Sequence, residues 1–219
     1  MQRVLVTGAT GTIGRALVSE LLATDCRVRA LTRNPDGADL PREVEIARGD
    51  LTDADGLEDH LHDVDAVFLL WTAPAGAAPA AVNRIARHAG RIVYLTSPHK
   101  TPHPFFQQPN PLRHVHAGIE RSIEESGVRW TFLRPGMFAA NALSWWAPQI
   151  RVGNVVRWPL CAAAPTAPIH ERDVASGRGP RAAGARARRS GVRVDRARVP
   201  EPARAGGDDR GRDRQAAAL

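Results

Sequence analysis

The chain is poor in the residues that would place it outside the cell or in a membrane. Its 219 residues include two cysteines, Cys26 and Cys161, at no ligand-like spacing. That excludes a disulfide framework and points to a reduced compartment. No apolar run reaches membrane-spanning length. No charged start leads into an apolar signal region, so a cytoplasmic protein without a leader is expected. Lysine and tyrosine are almost missing, with one of each, Lys100 and Tyr94. His60-x-His62 and His114-x-His116 alternate, whereas a helix offers metal ligands at i, i+3 or i+4, and no third ligand converges on either pair; no metal site is expected. No internal repeat is present.

Charge is unevenly spread. The formal net charge of +7 resides wholly in residues 176–219, which hold 12 Arg and 5 acids; the preceding residues balance. This tail is Arg, Gly, Ala and Pro with almost no large apolar residue, a composition that predicts disorder. A basic arm for nucleic acid is one reading. It is weakened by the lack of any aromatic for base stacking, so a nucleic-acid partner is not expected.

What is present begins at once. Residues 3–7 (RVLVT) form an apolar run of strand length, followed by Gly8-Ala9-Thr10-Gly11-Thr12-Ile13-Gly14. A stretch with apolar residues at helical spacing follows. Strand, glycine-rich turn and helix open a dinucleotide-binding unit. Gly8 permits a turn with positive φ. Gly11 lets a pyrophosphate approach the main chain, and Gly14 lets the helix pack against the strand. The free N–H groups of the first helical turn then face the phosphates.

Downstream, strand-like runs at 27–32, 44–47, 65–70, 91–96 and 130–134 alternate with helical patterns at 52–62, 77–89 and 112–126. Such alternation predicts βαβ units and a mostly parallel sheet. Residues 97–111 form a long loop carrying Phe105-Phe106, a length that suggests function or disorder.

By Asp173 the chain resembles the NmrA-like branch of the atypical short-chain dehydrogenases/reductases. The resemblance is carried by VTGATGTIG, ALTRNP, GDLTD, SGVRWTFLRPGMFAAN and PIHERDVA, in that order, over residues 1 to 175. It implies an α/β fold: a three-layer, Rossmann-like, doubly wound parallel sheet of order 3-2-1-4-5-6-7. A C-terminal substrate lobe, here residues 136–175 and truncated, would pack against the strand ends. It implies cofactor contacts from Thr7, Gly8, Thr10, Gly11, Thr12, Ile13 and Gly14, from Asp50 and Leu51 near the adenine, and from Leu70 and Ser97. Asp50 has a second reading as a helix cap with Asp53, and Ser97 a second reading as a strand end.

NAD-preferring Rossmann proteins often carry an acid about 20 residues after the glycines. Here Thr32-Arg33 stands in that place, and a guanidinium attracts a 2′-phosphate. NADP(H) is therefore expected over NAD(H), with Arg33 as a solvated turn residue the alternative. The superfamily's Tyr-x-x-x-Lys proton-transfer pair is missing: His116 takes the Tyr place and Glu120 the Lys place. A His–Glu pair at i, i+4 can shuttle a proton; the same spacing also suits a surface ion pair. Trp145-Trp146, Phe105-Phe106 and Met137 would either line a pocket for an apolar or aromatic substrate or pack the lobe.

The expected function is NADPH-dependent reduction of a small carbonyl, quinone or azo-type substrate. The rivals are a non-catalytic redox sensor acting through a protein partner and a nucleic-acid binder using the tail. Back-translating 194–215 with GC-rich codons and reading from the second base can yield family-like text, so a reading frame lost near Ala175 is expected. The seventh strand would then be missing and strand six would end the sheet with an open edge.

Overall fold

The computed structural model describes residues 1–98, 111–153, 155–157, 168–176 and 190–192. Seven parallel strands run in the order β3-β2-β1-β4-β5-β6-β7. They are β1 (Gln2–Thr7), β2 (Cys26–Thr32), β3 (Glu45–Arg48), β4 (Ala66–Leu70), β5 (Arg91–Leu95), β6 (Arg129–Leu133) and β7 (Ser190–Val192). The helices are α1 (Thr12–Leu22), α2 (Glu58–Leu61), α3 (Ala78–His88), α4 (Pro111–Glu125), α5 (Asn141–Trp145), α6 (Ala147–Val152) and α7 (Glu171–Ala175). The parallel sheet expected from strand–helix alternation and the doubly wound order implied by the resemblance are both present.

The central strands read as continuous apolar runs because both faces are covered. Successive side chains alternate between two cores. On one face Leu5, Val67, Leu69, Ile92, Tyr94 and Phe132 meet α2, α3 and α4 through Leu61, Val82, Ile85, Ile119 and Ile123. On the other, Val4, Val6, Val28, Ala30, Phe68 and Leu133 meet α1 through Ile13, Leu17 and Val18, together with Val174 of α7. Most element ends lie within a residue or two of the pattern-based expectation.

Two elements differ. The helix expected over 52–62 shrinks to Glu58–Leu61. The Asp50 carboxylate accepts the Thr52 N–H at 2.9 Å and that of Asp53 accepts the Gly56 N–H at 2.9 Å, so two side-chain-closed turns occupy the first half. Neither aspartate caps a helix. Second, β6 is not an open edge: β7 pairs with it in parallel register, Thr131 with Ser190 through Leu133 with Val192. A main-chain ladder makes little demand on side chains, which is why a segment with no strand-like pattern can occupy it. The other residues of 177–219 lie outside those described, as do Cys161, Lys100 and Phe105-Phe106.

The start of the lobe is tied to the sheet by the PIHERDVA block. Phe138 and Ile169 form a parallel bridge. The Ile169 N–H donates to Met137 O at 2.8 Å, and the Ala139 N–H to Ile169 O at 2.9 Å. Glu171, 7% exposed, accepts the Ala140 N–H at 2.8 Å. No helix among the described residues is long and apolar enough to cross a membrane.

Candidate cofactor and active site

The glycine loop leaves the carboxyl end of β1, next to the carboxyl end of β4. Gly8 has φ +62°, a left-handed conformation, and a Cβ there would stand 3.1 Å from Cβ of Leu70. A Cβ on Gly14 would lie 2.1 Å from Gly8 O and 2.6 Å from Ala9 Cα. The first turn of α1 therefore rests directly on the backbone of the loop. Gly11 is different: its φ is −78°, and an added Cβ would meet only Gly8 O at 3.4 Å. The fold does not need a glycine at this position. Gly11 is the N-cap of α1 and no side chain caps the helix. Thr10, Gly11 and Thr12 are exposed. The result is an open cradle of main-chain N–H groups at the positive end of a helix.

Not every expected cofactor residue faces that cradle with its side chain. The Thr7 hydroxyl is engaged in the frame, donating to Leu70 O and accepting from the Leu70 N–H, both at 2.8 Å. This cross-link locks β1 to β4 under the loop. Ile13 and Leu51 are buried in the two cores at 7% and 4% exposure, so only their main chains can serve a ligand. Leu70 is half-buried against the loop.

Arg33 is exposed just past the end of β2, and Asp50 is half-buried past the end of β3. The Asp50 carboxyl is held below the usual carboxylate range, first by the Thr52 N–H and in part by the charge of Arg33. The two groups therefore share one neighbourhood at the outer end of the crevice. At the other end, beyond β4 and β5, Trp71 Nε1 and Ser97 Oγ are buried and have no hydrogen-bond partner among the described residues. Buried polar atoms without partners are uncommon and mark places where a ligand or water completes the bonding.

The proton-transfer region is rearranged relative to the sequence reading. His116 and Glu120 do not form an exposed ion pair. The Tyr94 hydroxyl lies 2.6 Å from His116 Nδ1. Tyr94 is fully buried, and burial, followed by the charge of Glu120, pushes its phenol well above the usual tyrosine range. Glu120, 5% exposed, accepts from Arg134 Nη2 at 2.5 Å and from Nε at 3.1 Å. The Arg134 guanidinium in turn lies 5.3 Å from the centroid of the Phe132 ring. Sequence reading missed Tyr94 and Arg134 as members of this group. The available signal was the alternation of β5, which puts Tyr94 on the same face as Ile92, toward α4. Met137 is half-buried, while Trp145 is exposed at 39% in α5. Among the described residues no group of three His, Cys, Asp or Glu can hold a metal.

Residues 8–145 match the model of the family described as NAD(P)H-binding, more than half of the chain. The chain belongs to this NAD(P)H-binding family, in its NmrA-like type. It is 36% identical over 182 residues to a (4-alkanoyl-5-oxo-2,5-dihydrofuran-3-yl)methyl phosphate reductase of Streptomyces griseus subsp. griseus, covering 79% of this chain and 60% of that protein. It is 32% identical over 161 residues to an NAD(P)H azoreductase of Xenophilus azovorans, covering 72% of this chain and 55% of that one. The chain thus spans little more than half the length of these curated relatives. The fold is shared with the triphenylmethane reductase of Citrobacter sp. complexed with NADP(H), at a TM-score of 0.66 and 19% identity over 80% of this chain and 63% of that one.

In this NmrA-like protein the residues present fit a dinucleotide. The loop offers N–H donors with no competing cap, Gly11 leaves room that a Cβ would fill, and a guanidinium stands at the end of β2.

Proposed function

We propose that this protein is an NADPH-dependent reductase of a small carbonyl, quinone or azo-type substrate, with an apolar or aromatic body. The observation that supports it most is the uncapped glycine cradle, flanked by Arg33 at one end and by the unpartnered Trp71 and Ser97 at the other. That is the layout of a crevice open to a pyrophosphate between two differently equipped ends.

When bound, the cofactor supplies a hydride. The chain's own residues do the rest. Main-chain N–H groups from Thr12 to Gly14 hold the pyrophosphate, while the Gly11 N–H donates to Gly8 O at 3.1 Å. Arg33 pairs with the 2′-phosphate, and Asp50 accepts from the adenine. Ser97 Oγ and Trp71 Nε1 donate at the nicotinamide and substrate end. A proton must also reach the reduced heteroatom. Imidazole is the side chain whose ordinary titration falls nearest neutral pH, which makes His116 the proton carrier of the group. Tyr94 orients its ring from beneath, and Arg134 balances Glu120 so that the region does not accumulate negative charge.

Two measurements test the reading. Fluorescence titration should give a lower Kd for NADPH than for NADH, and Arg33→Ala should abolish the difference. Steady-state NADPH oxidation over a panel of quinones, azo dyes and small carbonyls should show turnover with at least one class. Retained NADPH binding with no turnover on any of them would replace the reductase with a redox sensor, the reading favoured by the missing Tyr-x-x-x-Lys pair.

A further inference from the structure

Arg15, in the first turn of α1, reaches away from its own helix and joins two loops. Its Nε donates to Thr10 O at 3.0 Å. Its Nη2 donates to Ala38 O at 3.0 Å. Its Nη1 donates to Asp39 O and stands 3.4 Å from Asp39 Oδ2. Thr10 belongs to the glycine loop. Ala38 and Asp39 close the segment that starts at Arg33.

That segment is a compact unit. The Asn34 N–H donates to Thr32 Oγ1 at 3.2 Å, and the Ala38 N–H to Pro35 O at 3.1 Å. Ala38 is fully buried, which sinks the end of the segment into the protein. Asp39 follows it with φ +44°, a left-handed conformation uncommon in residues other than glycine. The main-chain carbonyl and the carboxylate of this same residue both face Arg15. The segment is therefore held at one end by β2 and at the other by the burial of Ala38 together with the Arg15 guanidinium. A planar fork of N–H donors suits this task; a point charge does not. Arg33 sits between the two anchors.

We propose that Arg15 is a positioning residue for cofactor choice: by bridging Thr10 to Ala38 and Asp39, it sets where Arg33 stands relative to the pyrophosphate cradle. The inference rests on the reading that Arg33 recognises the 2′-phosphate. Arg15 itself faces main-chain carbonyls and is not assigned a ligand contact. Removing it loosens the glycine loop through Thr10, which affects NADPH and NADH alike. It also frees the 33–39 segment, which affects NADPH alone, because only that cofactor carries a 2′-phosphate.

The test is a double-mutant cycle read by equilibrium binding. Kd values for NADPH and NADH are measured by fluorescence titration for the parent, Arg15→Ala, Arg33→Ala and the double variant. Arg33→Ala should raise the Kd for NADPH about tenfold and leave that for NADH nearly unchanged. Arg15→Ala should weaken NADPH about fivefold more than NADH, and this excess should vanish in the Arg33→Ala background. Equal weakening of both cofactors by Arg15→Ala, with Arg33→Ala effective, overturns the positioning role alone. An Arg33→Ala variant that keeps the parent's preference overturns the 2′-phosphate reading, and the inference with it. Arg15→Lys is the companion variant should the alanine form fold poorly. It keeps the charge and loses the fork, so it should shift the cofactor ratio in the same direction; a lysine variant with the parent's ratio overturns the proposal.

Discussion

Gly11 and Gly14 lie three residues apart, one at the N-cap of α1 and the other in its first turn, and the structure gives them opposite duties. An alanine at Gly11 would adopt the existing φ of −78° without strain and would meet only Gly8 O at 3.4 Å, an ordinary contact. Alanine is a poorer N-cap than glycine, which costs about 0.5–1 kcal/mol. The stiffer unfolded chain returns about 0.4–1 kcal/mol. The two offset, so Gly11→Ala should move Tm by no more than about 2 °C. Its methyl group would nevertheless add bulk at the exposed rim of the loop, where the pyrophosphate is proposed to approach the main chain. NADPH affinity should fall about tenfold or more, about 1.4 kcal/mol.

Gly14→Ala behaves otherwise. Its Cβ would lie 2.1 Å from Gly8 O and 2.8 Å from Ala9 C, both main-chain atoms that cannot swing aside. Helix propensity favours alanine by about 1 kcal/mol. Displacing α1 from the loop costs more than that, and a net loss of about 2 kcal/mol is expected. Tm should drop by about 4–8 °C. Scanning calorimetry and NADPH titration on both variants decide the matter. If Gly11→Ala binds NADPH like the parent, the cradle is not where the pyrophosphate sits. If Gly14→Ala is as stable as Gly11→Ala, the contact between α1 and the loop is not what requires the glycine.

Tyr94 is the single tyrosine, so absorbance of tyrosinate reports it alone. Its phenol is raised above the ordinary value of 10.0, so the folded state keeps a proton that the unfolded chain releases. Stability contributed by Tyr94 is present below pH 10 and is lost as pH rises above it. Alkaline denaturation should therefore coincide with tyrosinate formation, and Tyr94→Phe should flatten the alkaline limb. Arg29, 8% exposed, donates to Glu45 at 2.7 Å and to His60 O and His62 O at 2.7 and 3.1 Å. Arg29→Ala should cost about 2–3 kcal/mol in urea unfolding, since two carbonyls lose their donor. Glu171→Ala removes the acceptor for the Ala140 N–H, and hydrogen exchange should quicken there while β1 and β4 stay protected.

Much of this was legible in the residues. Apolar runs covered on both faces, and helical stripes such as Ile119 and Ile123, carry their period openly; strand order followed once the family blocks were recognised. The glycine loop was legible because its constraints are local. Four features were not. The contraction of the 52–62 helix depended on Asp50 and Asp53 bonding to nearby N–H groups, a competition that helical periodicity does not register. The pairing of Tyr94 with His116 joins a strand to a helix across 22 positions and looks like nothing in either segment. Arg15 resembles any solvated helix residue until Ala38 and Asp39 come alongside it. The His–Glu spacing invited an i, i+4 pair, whereas Glu120 was claimed by Arg134 from the end of β6. Such contacts are set by packing geometry, which local sequence does not encode.

The sheet order also has a consequence for how the chain is made. β1 is synthesised before the other strands of this sheet and ends up inside it, with β2 on one side and β4 on the other. β2 arrives soon after it, but the other flank stays unpaired until Ala66 to Phe68 come to lie beside Val4 to Val6. Until then the emerging chain carries an apolar strand with a bare edge, the kind of surface that associates with other chains. The crevice proposed for the dinucleotide forms at that same junction, where Thr7 bonds to Leu70. On the ribosome, the end of this exposed interval and the first appearance of the cofactor site are therefore one event. Cofactor present during synthesis would act on the nascent chain at the moment its bare edge passes from β1 to β4.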